Sequence, residues 1–240
     1  VVLNGHYRGR NASGYAPFRY DISDVANFGG KNVLVLRVDA SEYEGWFYEG
    51  AGIYRHVWLV KTNPVHVPQW GTYVRSELAA HNGTPQAARL FISTEVANES
   101  DDTATYKVVS EIHDPSGKMV ATIRGGTTHA TPWTTATVDQ TTAIPDPELW
   151  SVESPRLHTL VTTITDDRSR IMDRTETIFG VRSIHFDADR GFFLNGERVA
   201  LKGTCNHQDH AGVGSALPDG IQDYRIRTLK EMGSNAYRTS

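Results

Sequence analysis

One cysteine, Cys205, stands in the whole 240-residue sequence, so no internal disulfide can form and no zinc ribbon, which needs paired thiolates, can be built. Without bridges to read, the compartment stays open, and secreted, periplasmic and cytoplasmic locations all suit the chain. Long apolar runs are lacking too. None reaches the roughly 20 residues of a membrane-spanning helix, and Val1-Val2 is not preceded by a charged-then-apolar leader. A start inside a strand-like pattern is expected of a segment taken from something longer. Charge of one sign is absent as well: 24 basic against 28 acidic residues leave a net charge of -4. That balance carries no electrostatic footprint for nucleic acid or an anionic membrane, and a small neutral ligand suits it better. Low-complexity segments and solenoid repeats are also missing.

What is present is apolar material, 39% hydrophobic and 10% aromatic, enough for more than one packed core. From Val1 to about Thr62 the pattern is all-β. Val1 to Leu3 is followed by the hairpin signal Asn4-Gly5, Tyr15 to Ile22 reads as a strand, and Asn32 to Val38 and Ile53 to Val60 alternate as half-buried strands do. Asn63-Pro64 breaks the pattern. From Val65 to about Phe179 short β-rich runs recur between turn signals at His81-Asn82-Gly83, Asp114-Pro115-Ser116-Gly117 and Gly125-Gly126, a spacing that predicts a β-sandwich. Pro145, Pro147 and Pro155 mark a loop, because proline supplies no ladder donor.

Past Gly180 the character changes. Phe192-Phe193-Leu194 and Val199-Ala200-Leu201 flank the turn Asn195-Gly196, Leu201 to Cys205 reads as a strand, and the first helical period then follows. Ile221, Tyr224, Leu229 and Met232 fall mostly on one face, between the start signal Pro218-Asp219 and the stop signal Gly233. Asn235 to Thr239 reads as a further strand. Strand, loop, helix and strand in this order predict a βαβ unit with parallel strands and a right-handed crossover.

Several ordered motifs carry a resemblance over the whole chain. Asn4-Gly5, then Gly14-Tyr15-Ala16-Pro17-Phe18 and Asp21-Ile22, then Tyr48-Glu49-Gly50-Ala51-Gly52-Ile53-Tyr54-Arg55-His56-Val57-Trp58-Leu59, resemble the second half of the jelly-roll sugar-binding domain of family 2 glycoside hydrolases. Pro147, Leu149-Trp150-Ser151 and Pro155 are similar to the loop before the last strands of that family's immunoglobulin-like domain. Phe179-Gly180-Val181-Arg182, Phe193-Leu194-Asn195-Gly196 and Leu201-Lys202-Gly203 resemble the approach to its catalytic barrel. Asn206-His207-Gln208-Asp209-His210 and Asn235-Ala236-Tyr237-Arg238-Thr239-Ser240 resemble the ends of the first two barrel strands. The resemblance implies a mainly β chain: the C-terminal half of a jelly roll over 1–62, an immunoglobulin-like sandwich over 65–180, and over 181–240 the first β/α unit of an incomplete (β/α)8 barrel. It also implies that the acid/base and nucleophile glutamates lie on later barrel strands, so no catalytic residue is expected in this chain.

His207, Asp209 and His210 form the most suggestive cluster. A metal site would need all three to turn inward from one extended segment, and no cysteine pair or glutamate motif completes them, so no metal and no cofactor is expected. The end of a barrel strand is where such folds build their sites, and a neutral imidazole both donates to and accepts from a sugar hydroxyl. Resemblance puts His207 on the family's substrate-contacting histidine, with Asn206, Asp209 and His210 beside it where the sequence departs from the commoner Asn-Arg-His-Glu pattern. A plain loop histidine is the competing reading. Arg238 either orients an acidic catalytic group with its planar fork or makes an ordinary strand-end ion pair. Trp46, Tyr48 and Glu49, with Phe47, either meet a sugar face or close a core.

Glu44 and Glu49 are not a catalytic pair, since nothing supplies the opposed partner across a sugar. Trp150 reads as a packing residue. Asn11-Ala12-Ser13, Asn82-Gly83-Thr84 and Asn98-Glu99-Ser100 satisfy the glycosylation pattern, and no function attaches to them. The expected function is part of a retaining β-glycosidase acting on a β-galactoside or oligosaccharide, with β-glucuronidase or β-mannosidase as alternative specificities. The reading from another class is a noncatalytic carbohydrate-binding or adhesion module. A homo-oligomer is compatible with either.

Overall fold

The structure is a computed structural model that describes residues 1–41, 52–81 and 84–239. The chain is mainly β, with antiparallel sheets and one helix among the described residues. It divides into two compact units, one of Val1–Val57, Thr204–Gly233 and Tyr237–Ser240, the other of Trp58–Gly203 and Ser234–Ala236.

In the first unit β1 (Val2–Leu3) pairs with β2 (His6–Tyr7) across the predicted Asn4-Gly5 turn, and on its other edge with β3 (Leu34–Val35). Asn4 and Gly5 both have positive φ, 50° and 85°, as a two-residue turn matched to strand twist requires. The strand expected over Tyr15 to Ile22 does not form. Pro17 offers no donor, and side chains take over the backbone groups instead. Arg8 Nη2 donates to Asp21 O at 2.6 Å, and Ser13 Oγ accepts from Tyr15 N and from Ala16 N at 3.2 Å each. Only Leu34–Val35 of the expected Asn32–Val38 strand joins a ladder, and Ile53 to Val60 finds no ladder partner among the described residues.

The second unit opens with β4 (Val65–His66), β5 (Thr72–His81) and β6 (Thr84–Asn98). It continues with β7 (Ala104–His113), β8 (Met119–Ala130) and β9 (Thr134–Pro145), then β10 (His158–Thr165) and β11 (Ile171–Phe179). β4 and β5 follow one another along one edge of β6 while β9 runs along the other, and the second sheet has the order β11-β10-β7-β8. The sheets face each other because alternate residues are apolar. Ala88, Leu90, Ile92 and Val96 of β6 meet Tyr106, Val108 and Ile112 of β7 and Leu160 and Ile164 of β10 in two clusters. The turn expected at Asn82-Gly83 lies outside the described residues. The one at Asp114 to Gly117 forms, with Asp114 Oδ1 accepting from Ser116 N at 2.9 Å and Lys118 N at 3.0 Å.

Gly125 and Gly126 make no turn; they sit inside β8, opposite an irregularity at Lys107 to Val109. A Cβ on Gly125 would lie 2.8 Å from Val108 O, whereas one on Gly126 would meet nothing within 4 Å. Gly125 therefore leaves room for close backbone approach, a second use of glycine that resembles a turn signal in sequence. Gln140 Nε2 donates to that same Val108 O at 3.2 Å, and Gln140 Oε1 accepts from Ser110 Oγ at 2.6 Å.

After β11 come β12 (Ile184–Asp187), which sequence periodicity did not mark, β13 (Gly191–Leu194) and β14 (Glu197–Arg198). They form an antiparallel sheet whose β13–β14 turn is the predicted Asn195-Gly196. Val199 to Leu201 does not extend it. The Phe179 to Arg182 motif is packing chemistry: a Cβ on Gly180 would meet Trp150 Cβ at 2.8 Å, Val181 is fully buried and accepts from Trp150 N at 2.9 Å, and the Arg182 guanidinium lies 4.6 Å over the Trp150 ring. Asn195 Nδ2 closes the arrangement by donating to Trp150 O at 3.0 Å. Trp150 is half-buried in this setting, in keeping with a packing role.

His158 opens β10 at 1% exposure, its ring 5.6 Å from that of Phe179 and its Nδ1 without a hydrogen-bond partner among the described residues. Burial holds its pKa below the usual 6.5, against a weaker opposing pull from Asp114 and Glu148. The unfolded chain protonates near 6.5 while the folded one does not. The contribution is thus complete above about pH 6.5 and is lost as pH falls from there through the lowered folded value.

Two outcomes follow from these packing facts. Gly125→Ala is expected to destabilise the protein by about 1–3 kcal/mol through the clash at Val108 O, and Gly126→Ala by less than about 0.5 kcal/mol, read from urea midpoints. Equal midpoints for the two variants would remove the close-approach role. Urea midpoints of the natural protein should fall between about pH 7 and 5, and His158→Phe should flatten that fall. A slope unchanged by the substitution would assign the acid sensitivity to other groups.

Candidate functional site

The polar loop after the first strand of the C-terminal strand-helix-strand segment is the candidate site. β15 (Gly203–Asn206), α1 (Asp219–Glu231) and β16 (Ala236–Thr239) follow in order, and β15 and β16 form a two-stranded sheet. Gly203 permits that pairing, since a Cβ there would lie 2.5 Å from Ala236 O. Asn235 braces the approach: its Oδ1 accepts from Lys202 N at 2.7 Å and its Nδ2 donates to Ala200 O at 3.0 Å.

α1 begins at Asp219, directly after Pro218, and ends before Met232, with Gly233 at φ 92° as the predicted stop. The Asp219 carboxylate meets His56 Nε2 at 2.9 Å. The expected apolar face is not a buried one. Ile221 and Leu229 are half-buried, while Tyr224 and Met232 remain exposed among the described residues. Arg225 of α1 reaches back to backbone carbonyls of the preceding loop.

Asn206 ends β15 and folds back on its own strand, Nδ2 donating to Thr204 O at 2.9 Å. His207 follows as an exposed residue whose carbonyl accepts from Arg225 Nη1 at 3.1 Å. Asp209 is half-buried, and its carbonyl accepts from Arg225 Nη2. His210 exchanges two backbone hydrogen bonds with Gly214, each 3.0 Å, and its ring lies 6.5 Å from that of Tyr224. Arg238, exposed on β16, donates from Nη1 to Cys205 Sγ at 2.9 Å. Trp46, Tyr48 and Glu49 lie outside the described residues. Among the described residues no three His, Cys, Asp or Glu side chains gather as a metal-ligand group.

The arrangement joins His207, Asp209 and His210 in one loop, with a donor-acceptor imidazole at its exposed start, and places Arg238 on the paired strand. Such a surface offers hydrogen bonds to neutral polyols and, among the described residues, no nucleophile-base pair. Two side chains escaped the sequence reading, Arg225 and Asn235. Nothing in the periodicity of α1 separates Arg225 from Arg227 or Lys230, and Asn235 sits in a motif without a visible role.

Two facing antiparallel sheets, then a small antiparallel sheet, then a strand-helix-strand segment with a polar loop after its first strand define a β-rich, multi-segment chain. Residues 65–182 match the sequence model of glycosyl hydrolases family 2. A β-galactosidase of Bacteroides ovatus, BoGH2A, is 36% identical over 241 residues, which cover 100% of this chain and 28% of that protein. A β-glucuronidase of Formosa agariphila is 29% identical over 99% of this chain and 26% of its own length. The crystal structure of a glycosyl hydrolase family 2 member from Bacteroides cellulosilyticus matches with a TM-score of 0.91 at 30% identity, over 100% of this chain and 32% of that one. This chain belongs to glycosyl hydrolase family 2 and spans about a third or less of the length of these relatives.

Proposed function

We propose that these residues form part of a retaining β-glycosidase that acts on terminal β-galactosides. The observation that carries this reading is the 36% identity to a β-galactosidase along the entire chain, polar loop included. In it, residues 1–62 are the C-terminal half of a jelly-roll domain, 65–180 an immunoglobulin-like sandwich, and 181–240 the start of a (β/α)8 barrel. One glutamate attacks the anomeric carbon while another protonates the leaving oxygen, about 5 Å apart, and both lie outside these 240 residues. The chain supplies part of the pocket wall. His207 hydrogen-bonds a sugar hydroxyl, Asn206, Asp209 and His210 complete that edge, Arg238 supports it, and Trp46, Tyr48 and Glu49 reach the sugar from the jelly-roll side.

The similar β-glucuronidase supports a second specificity. A glucuronide brings a carboxylate that a galactoside lacks, so the two substrates differ in their need for a cationic partner. Rates on para-nitrophenyl β-D-galactoside and β-D-glucuronide, measured on the full-length protein that carries these residues, decide between them.

The 240-residue polypeptide alone is expected to turn over neither substrate above a buffer blank. Turnover abolished by a substitution within it would overturn the division of labour. In the full-length protein His207→Ala is expected to lower kcat and kcat/KM about tenfold or more, because hydrogen bonds to sugar that strengthen as the ring distorts exceed the usual ~1 kcal/mol. A lowered Tm with unchanged kinetics would take His207 out of the pocket.

A further inference from the structure

We infer that Arg225 is the positioning residue of the His207–His210 loop, a role that rests on reading this loop as sugar-facing. Arg225 lies in the middle of α1, half-buried, in a helix with no fully buried residue. Its two terminal nitrogens do not share one acceptor. Nη1 donates to His207 O at 3.1 Å and Nη2 to Asp209 O, carbonyls two residues apart in the loop. One rigid planar fork thereby fixes the orientation of two peptide planes, His207–Gln208 and Asp209–His210.

The Asp209–His210 plane is held from its other side as well. His210 N donates to Gly214 O and Gly214 N to His210 O, and Tyr224, the residue before Arg225, brings its ring beside that of His210. A segment of irregular backbone has few internal hydrogen bonds, so its shape is set by whatever side chains satisfy its carbonyls. Here that work falls to a guanidinium. A lysine at the position carries the same charge on a single nitrogen without the fixed fork, and cannot hold both carbonyls in the same geometry. A bond to a neutral acceptor gains from the charge of the donor, which makes the clamp stronger than two ordinary amide contacts.

The consequence concerns recognition more than folding. Rotation of the His207 peptide plane moves the start of its side chain, and displacement by about 1 Å at a group that contacts substrate is enough to cost on the order of a hundredfold in rate. Arg225 itself touches no substrate in this account; it acts through the loop.

Two measurements on Arg225→Ala and Arg225→Lys test the inference. In the 240-residue chain, amide hydrogen exchange at His210 and Gly214 is expected to speed up about tenfold or more in Arg225→Ala, with β7 and β10 unchanged; exchange unaltered at both amides overturns the clamp. In the full-length protein, Arg225→Ala is expected to lower kcat/KM on para-nitrophenyl β-D-galactoside at least about tenfold at an unchanged Tm, with Arg225→Lys in between. Millimolar guanidinium is expected to restore part of the loss in Arg225→Ala and none in His207→Ala. Faster loop exchange with unchanged kcat/KM, in a protein where His207→Ala is impaired, would overturn the positioning role while leaving the sugar-facing loop intact. Unchanged kinetics in both Arg225→Ala and His207→Ala would instead count against the proposed function. Should Arg225→Ala not fold, Arg225→Lys carries both measurements with the same directions.

Discussion

Burial of one face of β6 is the constraint on which the larger unit depends. Ala88, Leu90, Ile92, Thr94 and Val96 turn inward, and Arg89 and Glu95 between them turn out. A one-residue slip would exchange the two sets, placing charge in the core and apolar groups in water. Each buried leucine, isoleucine or valine contributes about 1.5–3 kcal/mol, so register is set by many such terms acting together. Because β6 pairs with β4, β5 and β9, its register fixes theirs.

Polar groups inside the unit follow from the same packing. Asn98, 1% exposed, donates to Asp102 O at 2.8 Å and Ala130 O at 3.0 Å and accepts from Ser100 Oγ at 2.6 Å, which ties the ends of β6 and β8 to the start of β7. Ser110 and Gln140 settle the irregular ladder beside Gly125. Such groups are costly unless paired; these three are paired, while Thr94 Oγ1, Tyr106 Oη and Thr162 Oγ1 are buried without a hydrogen-bond partner among the described residues. His158 is the contrasting case, a buried ring whose charge state is suppressed by its surroundings. Towards the far end of the unit, Trp150, Gly180, Val181 and Asn195 join the small antiparallel sheet to the sandwich through close contact and backbone hydrogen bonds.

The candidate site is built by different means. Its loop is shaped by backbone hydrogen bonds at His210 and Gly214 and by the guanidinium of Arg225, while β15 and β16 hold its base. Relatives that share the frame bear the names β-galactosidase and β-glucuronidase. That division is what a rigid frame carrying variable polar loops produces, since the frame determines where a site stands and the loop side chains determine what it accepts.

Much of this was legible in sequence because it is local. The turns at Asn4-Gly5 and Asn195-Gly196 need positive φ at both positions, the helix start at Pro218-Asp219 and stop at Gly233 follow from terminal backbone chemistry, and β-rich runs recurring between turn signals marked the sandwich. Family motifs located His207 and its neighbours on one loop. Tertiary structure alone decided the rest. Gly125-Gly126 reads as a turn until Val108 O comes close to one of the pair, and Tyr15 to Ile22 reads as a strand until Arg8 and Ser13 side chains meet its backbone groups. Arg225 and Asn235 gain their meaning from carbonyls 16 to 18 and 35 residues away in sequence. A residue type carries its own conformational preference, and this the sequence states outright; which distant carbonyl lies within 3 Å of its side chain exists only after the chain has folded.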